Sequence, residues 1–223
     1  MVVNAAAIAV NLSAIRDRIA QAAQRVGRNP ATITLVAVSK TQPSEAVEAA
    51  YAAGQRVFGE NRVQEAAEKF PALQAAHPDI HLSLIGALQT NKAARAVSLC
   101  DSIATLDRPK LAAVLAQEMT RQERRPALLI EVNIGAEPQK AGILPGALPE
   151  FLAQCRDLGL TINGLMCIPP HGEDPAPHFT ALTRLADTQD LAVRSMGMSG
   201  DFEAAVRCGS TQVRVGTALF GAR

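Results

Sequence analysis

Apolar positions along this chain change period repeatedly. Near the start, Ile8, Leu12, Ile15, Ile19, Ala22 and Val26 recur at alternating steps of four and three, the spacing of one helix face, with Asn4 placed to cap it. From residue 32 onward, short runs rich in Val, Ile and Leu alternate with longer runs of helical period. Residues 32–40, 56–61, 81–86, 102–107, 127–133, 161–168, 193–199 and 212–221 read as strands. Helical patterns fill 44–53, 62–75, 89–98, 108–122, 146–158, 175–190 and 201–207. Nothing between them resembles a linker, a low-complexity tract or a short repeat. The expectation is one domain over residues 1–223, with residues 1–30 forming a helix packed on it. Eight strands with seven intervening helices in 223 residues predict an α/β fold, a single (β/α)8 TIM barrel at the compact end of its range. A doubly wound open sheet is the alternative, but its usual strand number leaves an excess here.

Composition narrows the classes of function. Apolar residues make up 48% of the chain, enough for a well-buried core. A net charge of +1 carries no electrostatic footprint for nucleic acid, and 3% aromatics with no Trp argues against base stacking. Cys100, Cys155, Cys167 and Cys208 are scattered without a C-x-x-C pair, which predicts reduced thiols and no metal site. No run approaches the length of a membrane span. The first charges, Arg16, Asp17 and Arg18, follow the apolar stretch instead of preceding it, unlike a signal peptide. These features predict a cytoplasmic protein with no nucleic-acid or membrane partner.

A barrel places its chemistry at the carboxyl ends of its strands. The first strand, "LVAVSK", ends in Lys40, one of only five lysines (Lys40, Lys69, Lys92, Lys110, Lys140). An amine there can form a Schiff base with a carbonyl; alternatively it lies along the rim and pairs with an acid such as Glu60. Phosphate in such barrels commonly sits after strands seven and eight. There the chain offers Ser199-Gly200 and Gly216-Thr217: two hydroxyls, two bare backbone positions and the start of a helix. Asp201 and Glu203 oppose an anion, so they are expected to face away. The competing reading makes Ser199 a helix cap and Gly216 a barrel bend. A lysine opposite a phosphate corner suggests a ligand with a carbonyl at one end and a phosphate at the other. Pyridoxal phosphate and an aldolase's sugar phosphate both fit. Arg214, two residues before Gly216, shares its strand face and can reach past a phosphate towards a ring. A guanidinium facing a pyridine nitrogen donates to it and keeps it unprotonated, which makes the ring a weak electron sink.

The blocks "AVSKTQP", "FGENRVQEAAEK", "IGALQTNK", "GLMCIPP", "SMGMSGDFEAAV" and "VRVGTALFGAR" resemble the pyridoxal phosphate homeostasis proteins, single-barrel relatives of the alanine racemase N-terminal domain. The resemblance covers nearly the whole chain after residue 30. It implies that Lys40 carries pyridoxal 5'-phosphate (PLP) as an internal aldimine. It implies that Ser199, Gly216 and Thr217 hold the phosphate, that Arg214 faces the ring nitrogen, and that Asn61 lies near the cofactor. Racemase-like barrels space this serine and arginine fifteen residues apart, as here. The family has no defined reaction; its members bind and buffer the cofactor, with PLP-dependent client enzymes as partners. The chain departs from the pattern where two family histidines become Ser83 and Ala87, and where Gln42 replaces a frequent second lysine.

A small amino-acid racemase is the alternative function, and an aldolase a more distant one. A racemase needs an acid–base group on the far face of the substrate, supplied in alanine racemase by a tyrosine of a further domain. This chain ends at Arg223 after strand eight, and its one tyrosine, Tyr51, falls in a helix. His77, His81 and His178 read as surface residues, while His171, in the loop after strand six, could approach the mouth. The expectation is a monomeric cofactor carrier with no catalytic residue.

Overall fold

The computed structural model describes residues 3–221. A first helix, α1 (Ala5–Gln24), is capped by Asn4, whose side chain accepts from Ala7 N at 3.0 Å. It buries Ile8, Leu12, Ile15, Ile19 and Ala22, the stripe expected from the spacing. Val26 is the exception. It lies beyond the end of the helix and is exposed, because the chain turns away through Gly27.

The strands are β1 (Thr34–Val38), β2 (Val57–Glu60), β3 (His81–Leu84), β4 (Ser102–Leu106), β5 (Ala127–Glu131), β6 (Ile162–Met166), β7 (Val193–Ser195) and β8 (Gln212–Val215). Between them run α2 (Ser44–Ala52), α3 (Val63–Ala76), α4 (Ala93–Leu99), α5 (Pro109–Arg121), α6 (Leu148–Asp157), α7 (Pro175–Thr188) and α8 (Phe202–Arg207). All pairings are parallel and follow chain order. The barrel closes by β8 on β1, with Thr34 opposite Gln212 and Ala37 opposite Val215. The protein is therefore a closed (β/α)8 barrel, as the alternation predicts.

Each strand stops short of its apolar run at the carboxyl end, most of all β7 and β8. Residues 217–220, read from sequence as the end of a strand, form a short helix, α9 (Thr217–Phe220). Leu219 buries there, and its carbonyl accepts from Asn11 of α1 at 3.0 Å. Four residues hold too little pattern to separate a strand from one helical turn, so packing against α1 decided the outcome.

Two apolar layers result. The larger lies between the barrel wall and the helices. Inside the barrel a small cluster of Ala104, Leu129 and Met166, flanked by Ile85 and Val193, fills the centre. Towards the carboxyl ends the interior turns polar, with Ser195 and Arg214 buried above that cluster. Burial of each large side chain of α1 contributes about 1.5–3 kcal/mol, so α1 is held firmly on α2, α8 and α9.

Candidate functional site

One cavity of about 300 Å³ opens at the carboxyl ends of the strands. That volume is at the low end for ligand sites, room for a single substituted ring and not for a polymer. Lys40, Asn61, Ser199, Arg214, Gly216 and Thr217 all line it, so these six candidates converge on one place.

Lys40 lies two residues past the end of β1. Alternation carries Val36, Val38 and Lys40 to the barrel interior and turns Ser39 outward. The acid that could have paired with it is otherwise engaged. Glu60 accepts from Lys69 Nζ at 2.8 Å and from Ser39 Oγ at 2.7 Å, on the outer side of the wall. Lys40 is half-buried and takes part in no ion pair among the described residues.

A second corner is built by the exits of β7 and β8. Gly197 adopts φ +95°, and a Cβ there would stand 2.5 Å from that of Ala205, so only glycine permits the bend that delivers Ser199. Ser199 does not cap α8; that helix starts after Asp201 with no side-chain cap. Instead its Oγ lies 3.3 Å from Gly216 N and 3.5 Å from Ala218 N, at the start of α9. Both contacts are long, so these N–H groups remain available to a stronger acceptor. A Cβ on Gly216 would stand 3.2 Å from Val38 O, and nothing lies within 4 Å of where one on Gly200 would be. The corner is thus a shallow cup of N–H and O–H donors suited to a phosphate. Neither nearby acid lines the cavity, as expected. Glu203 pairs with Arg18 of α1 at 3.0 Å, and Asp201 accepts from Met198 N at 2.6 Å.

Arg214, on β8, lines the same cavity and is only 4% exposed. Its Nη1 donates to Ser195 Oγ at 2.8 Å and its Nη2 to the Cys167 carbonyl at 3.0 Å. These bonds fix the plane of the guanidinium and leave Nε outside both contacts. Burial pushes its pKa down from the ordinary value, with Cys167 and Glu131 acting the other way. An arginine keeps its proton even so. Glu131, at the end of β5, is pushed up from the usual carboxylate range by burial first and Asp107 second, while Arg214 draws it down.

Other candidates lie elsewhere. Tyr51 donates to Asp79 at 2.7 Å, stacks on His77 at 4.0 Å and sits under Arg56, outside the cavity. His171 is exposed and does not line it. Ser83 is buried and accepts from Ser102 Oγ at 2.8 Å, while Ala87 is exposed. Burial pushes the thiols of Cys100 and Cys167 up to about 12, which leaves them protonated and inert. No metal-binding cluster occurs among the described residues. Sequence reasoning missed the holders of Arg214, Ser195 and the Cys167 carbonyl, and the acid–lysine cluster behind Lys40. Glu65 and Lys69, four apart on α3, were the one visible sign of the latter.

Chemically, the site offers an amine, a cup of donors suited to a phosphate, and a fixed cation. Residues 10–223 match the alanine racemase N-terminal domain family. The chain is 39% identical to the pyridoxal phosphate homeostasis protein of Vibrio cholerae, over 96% of this chain and 95% of that one. PipY of Synechococcus elongatus, solved without PLP, superposes with a TM-score of 0.86 at 39% identity, covering 96% of this chain and all of that one. The same protein with PLP bound gives 0.81 at 38% identity over the same shares.

Proposed function

Because this chain belongs to the alanine racemase N-terminal domain family, among the pyridoxal phosphate homeostasis proteins, we propose that it binds PLP and serves the intracellular balance of that cofactor. The observation that carries this reading is the shared cavity, lined together by Lys40, the Ser199–Gly216–Thr217 cup and Arg214. PLP carries an aldehyde, a pyridine nitrogen and a phosphate, one partner for each of these groups. In this reading Lys40 Nζ would take the aldehyde carbon, whose oxygen leaves as water, and Ser199, Thr217 and the Gly216 N–H would hold the phosphate. Arg214 would donate to the ring nitrogen through Nε, with Asn61 as a further lining residue. When bound, PLP supplies an electron-accepting ring to amines. A guanidinium donating to that nitrogen would keep it unprotonated and hold the ring in place.

Residues 1–223 act in this account as one cofactor-binding unit, with α1 as part of it. The free cysteines, three of them buried, fit the reducing cytoplasm. Large exposed apolar side chains such as Val10, Leu144 and Leu158 sit on separate elements, which fits a monomer that passes its cofactor to client enzymes. The test is spectroscopic. Protein mixed with PLP should show a violet-region band that borohydride removes, and Lys40→Ala should lack it. An equal band in Lys40→Ala would overturn the reading.

A further inference from the structure

Behind Lys40, on the outer side of the barrel wall, lies a buried charge cluster that touches no part of the cavity's phosphate corner. Lys69 of α3 is 8% exposed and Glu60 of β2 is fully buried. Lys69 Nζ donates to Glu60 Oε1 at 2.8 Å, to Glu65 Oε1 at 3.2 Å and to the Ser39 carbonyl at 2.8 Å. Ser39 Oγ donates to Glu60 Oε1, and Thr41 N donates to Glu65 Oε1. The cluster therefore grips the backbone on both sides of Lys40: the carbonyl of the residue before it and the N–H of the residue after it.

That grip coincides with strain. Thr41 adopts φ +62°, a left-handed conformation that a β-branched residue avoids. Such a conformation persists only where its surroundings over-determine it. A second cost lies beside it, because Glu60 Oε2 is buried without a hydrogen-bond partner. An ion pair needed only to seat α3 on the wall could be replaced by apolar packing at no loss. Contacts aimed at the two peptide groups flanking Lys40 do something apolar packing cannot.

Resting on the reading that Lys40 captures PLP covalently, we propose that Lys69, Glu60 and Glu65 are positioning residues that hold the Ser39–Thr41 turn in its strained form and so aim Lys40 Nζ into the cavity. Release of the turn rotates the peptides on either side of Lys40, and the long side chain magnifies that rotation at Nζ. The phosphate cup and Arg214 belong to β7 and β8 and do not depend on the turn.

The experiment compares two ligands on the full chain. PLP reads capture at Lys40, through the growth rate of the violet band. Pyridoxine 5'-phosphate, with an alcohol where PLP has the aldehyde, reads only the ring and phosphate contacts. Lys69→Met and the double variant Glu60→Gln/Lys69→Met, which strands no buried charge, should slow capture on the order of ten- to a hundredfold, the scale of a misplaced reacting group. Glu65→Gln, at the partly exposed rim, should slow it less. Affinity for pyridoxine 5'-phosphate should hold in all three. Thermal melting identifies which variants fold; should the Lys69 variants fail, Glu65→Gln decides. Capture at the unmodified rate in a folded variant would overturn the proposal, as would loss of pyridoxine 5'-phosphate affinity in step with capture. Lys40→Ala separates the two levels: if it takes up PLP as fast as the unmodified protein, the reading of Lys40 itself fails.

Discussion

Ser199 shows how much a single hydroxyl can carry. It sits after a glycine bend and faces two loosely held N–H groups of another strand's exit. A phosphate oxygen in the cup would draw bonds from Ser199, Thr217 and those N–H groups together. Replacing Ser199 and Thr217 by Ala should weaken PLP binding by about 2–3 kcal/mol, taking about 1–1.5 kcal/mol per hydrogen bond. Pyridoxal, which lacks the phosphate, should bind almost as before. Titration of both ligands decides the matter, and equal losses would mean that the two residues shape the loops instead of reading a phosphate. Of the residues in the cavity, those at strand ends were legible in the sequence: Lys40, Arg214 and Gly216 follow from strand placement and alternation alone. Glu60 and Lys69 were not, since a charged residue reads as solvated until the packing of α3 on β2 shows otherwise. Likewise, nothing in the chain's order reveals that the Cys167 carbonyl would hold Arg214 across forty-seven residues.

At the scale of elements, patterns located every strand and most helices because apolar period is a local signal. Their carboxyl ends were misjudged, and for one reason. The loops that form the site stay apolar as they curl over the mouth, so residues such as Ile168 and Met198 extend an apparent strand while lining a cavity. The first helix illustrates the reverse case, a pattern read correctly whose role only the structure displays. Asn11 bonds α9 and Arg18 pairs with Glu203 of α8, while Arg28, just past the helix, donates to the carbonyls of Val206 and Ser210 at 2.6 and 2.8 Å. The helix thus braces the two elements that carry the phosphate cup. Ile15, 2% exposed, anchors it. Ile15→Ala should lower stability by about 2–5 kcal/mol, read as a drop in the urea midpoint at constant slope. A shift of under about 0.5 kcal/mol, the range of surface substitutions, would mean that α1 rides on the barrel without belonging to its fold.

At the scale of the whole molecule, closing β8 on β1 is what makes the site. Residues 40 and 214 lie far apart in the chain, yet Val36 pairs with Arg214 across the closing seam. The amine and the cation are neighbours only because the sheet joins its own ends. Among the described residues no helix is long and apolar enough to cross a membrane. The central claim is that this seam presents Lys40, and no other lysine, to the cofactor. Lys69 is buried and engaged, while Lys140 pairs with Glu137 and donates to the Pro169 carbonyl at 3.1 Å. The direct measurement is peptide mapping by mass spectrometry after PLP loading and borohydride reduction. The account predicts the pyridoxyl mass on the peptide holding Lys40, at close to one per chain. The same mass found mainly on Lys92 or Lys140 would contradict it.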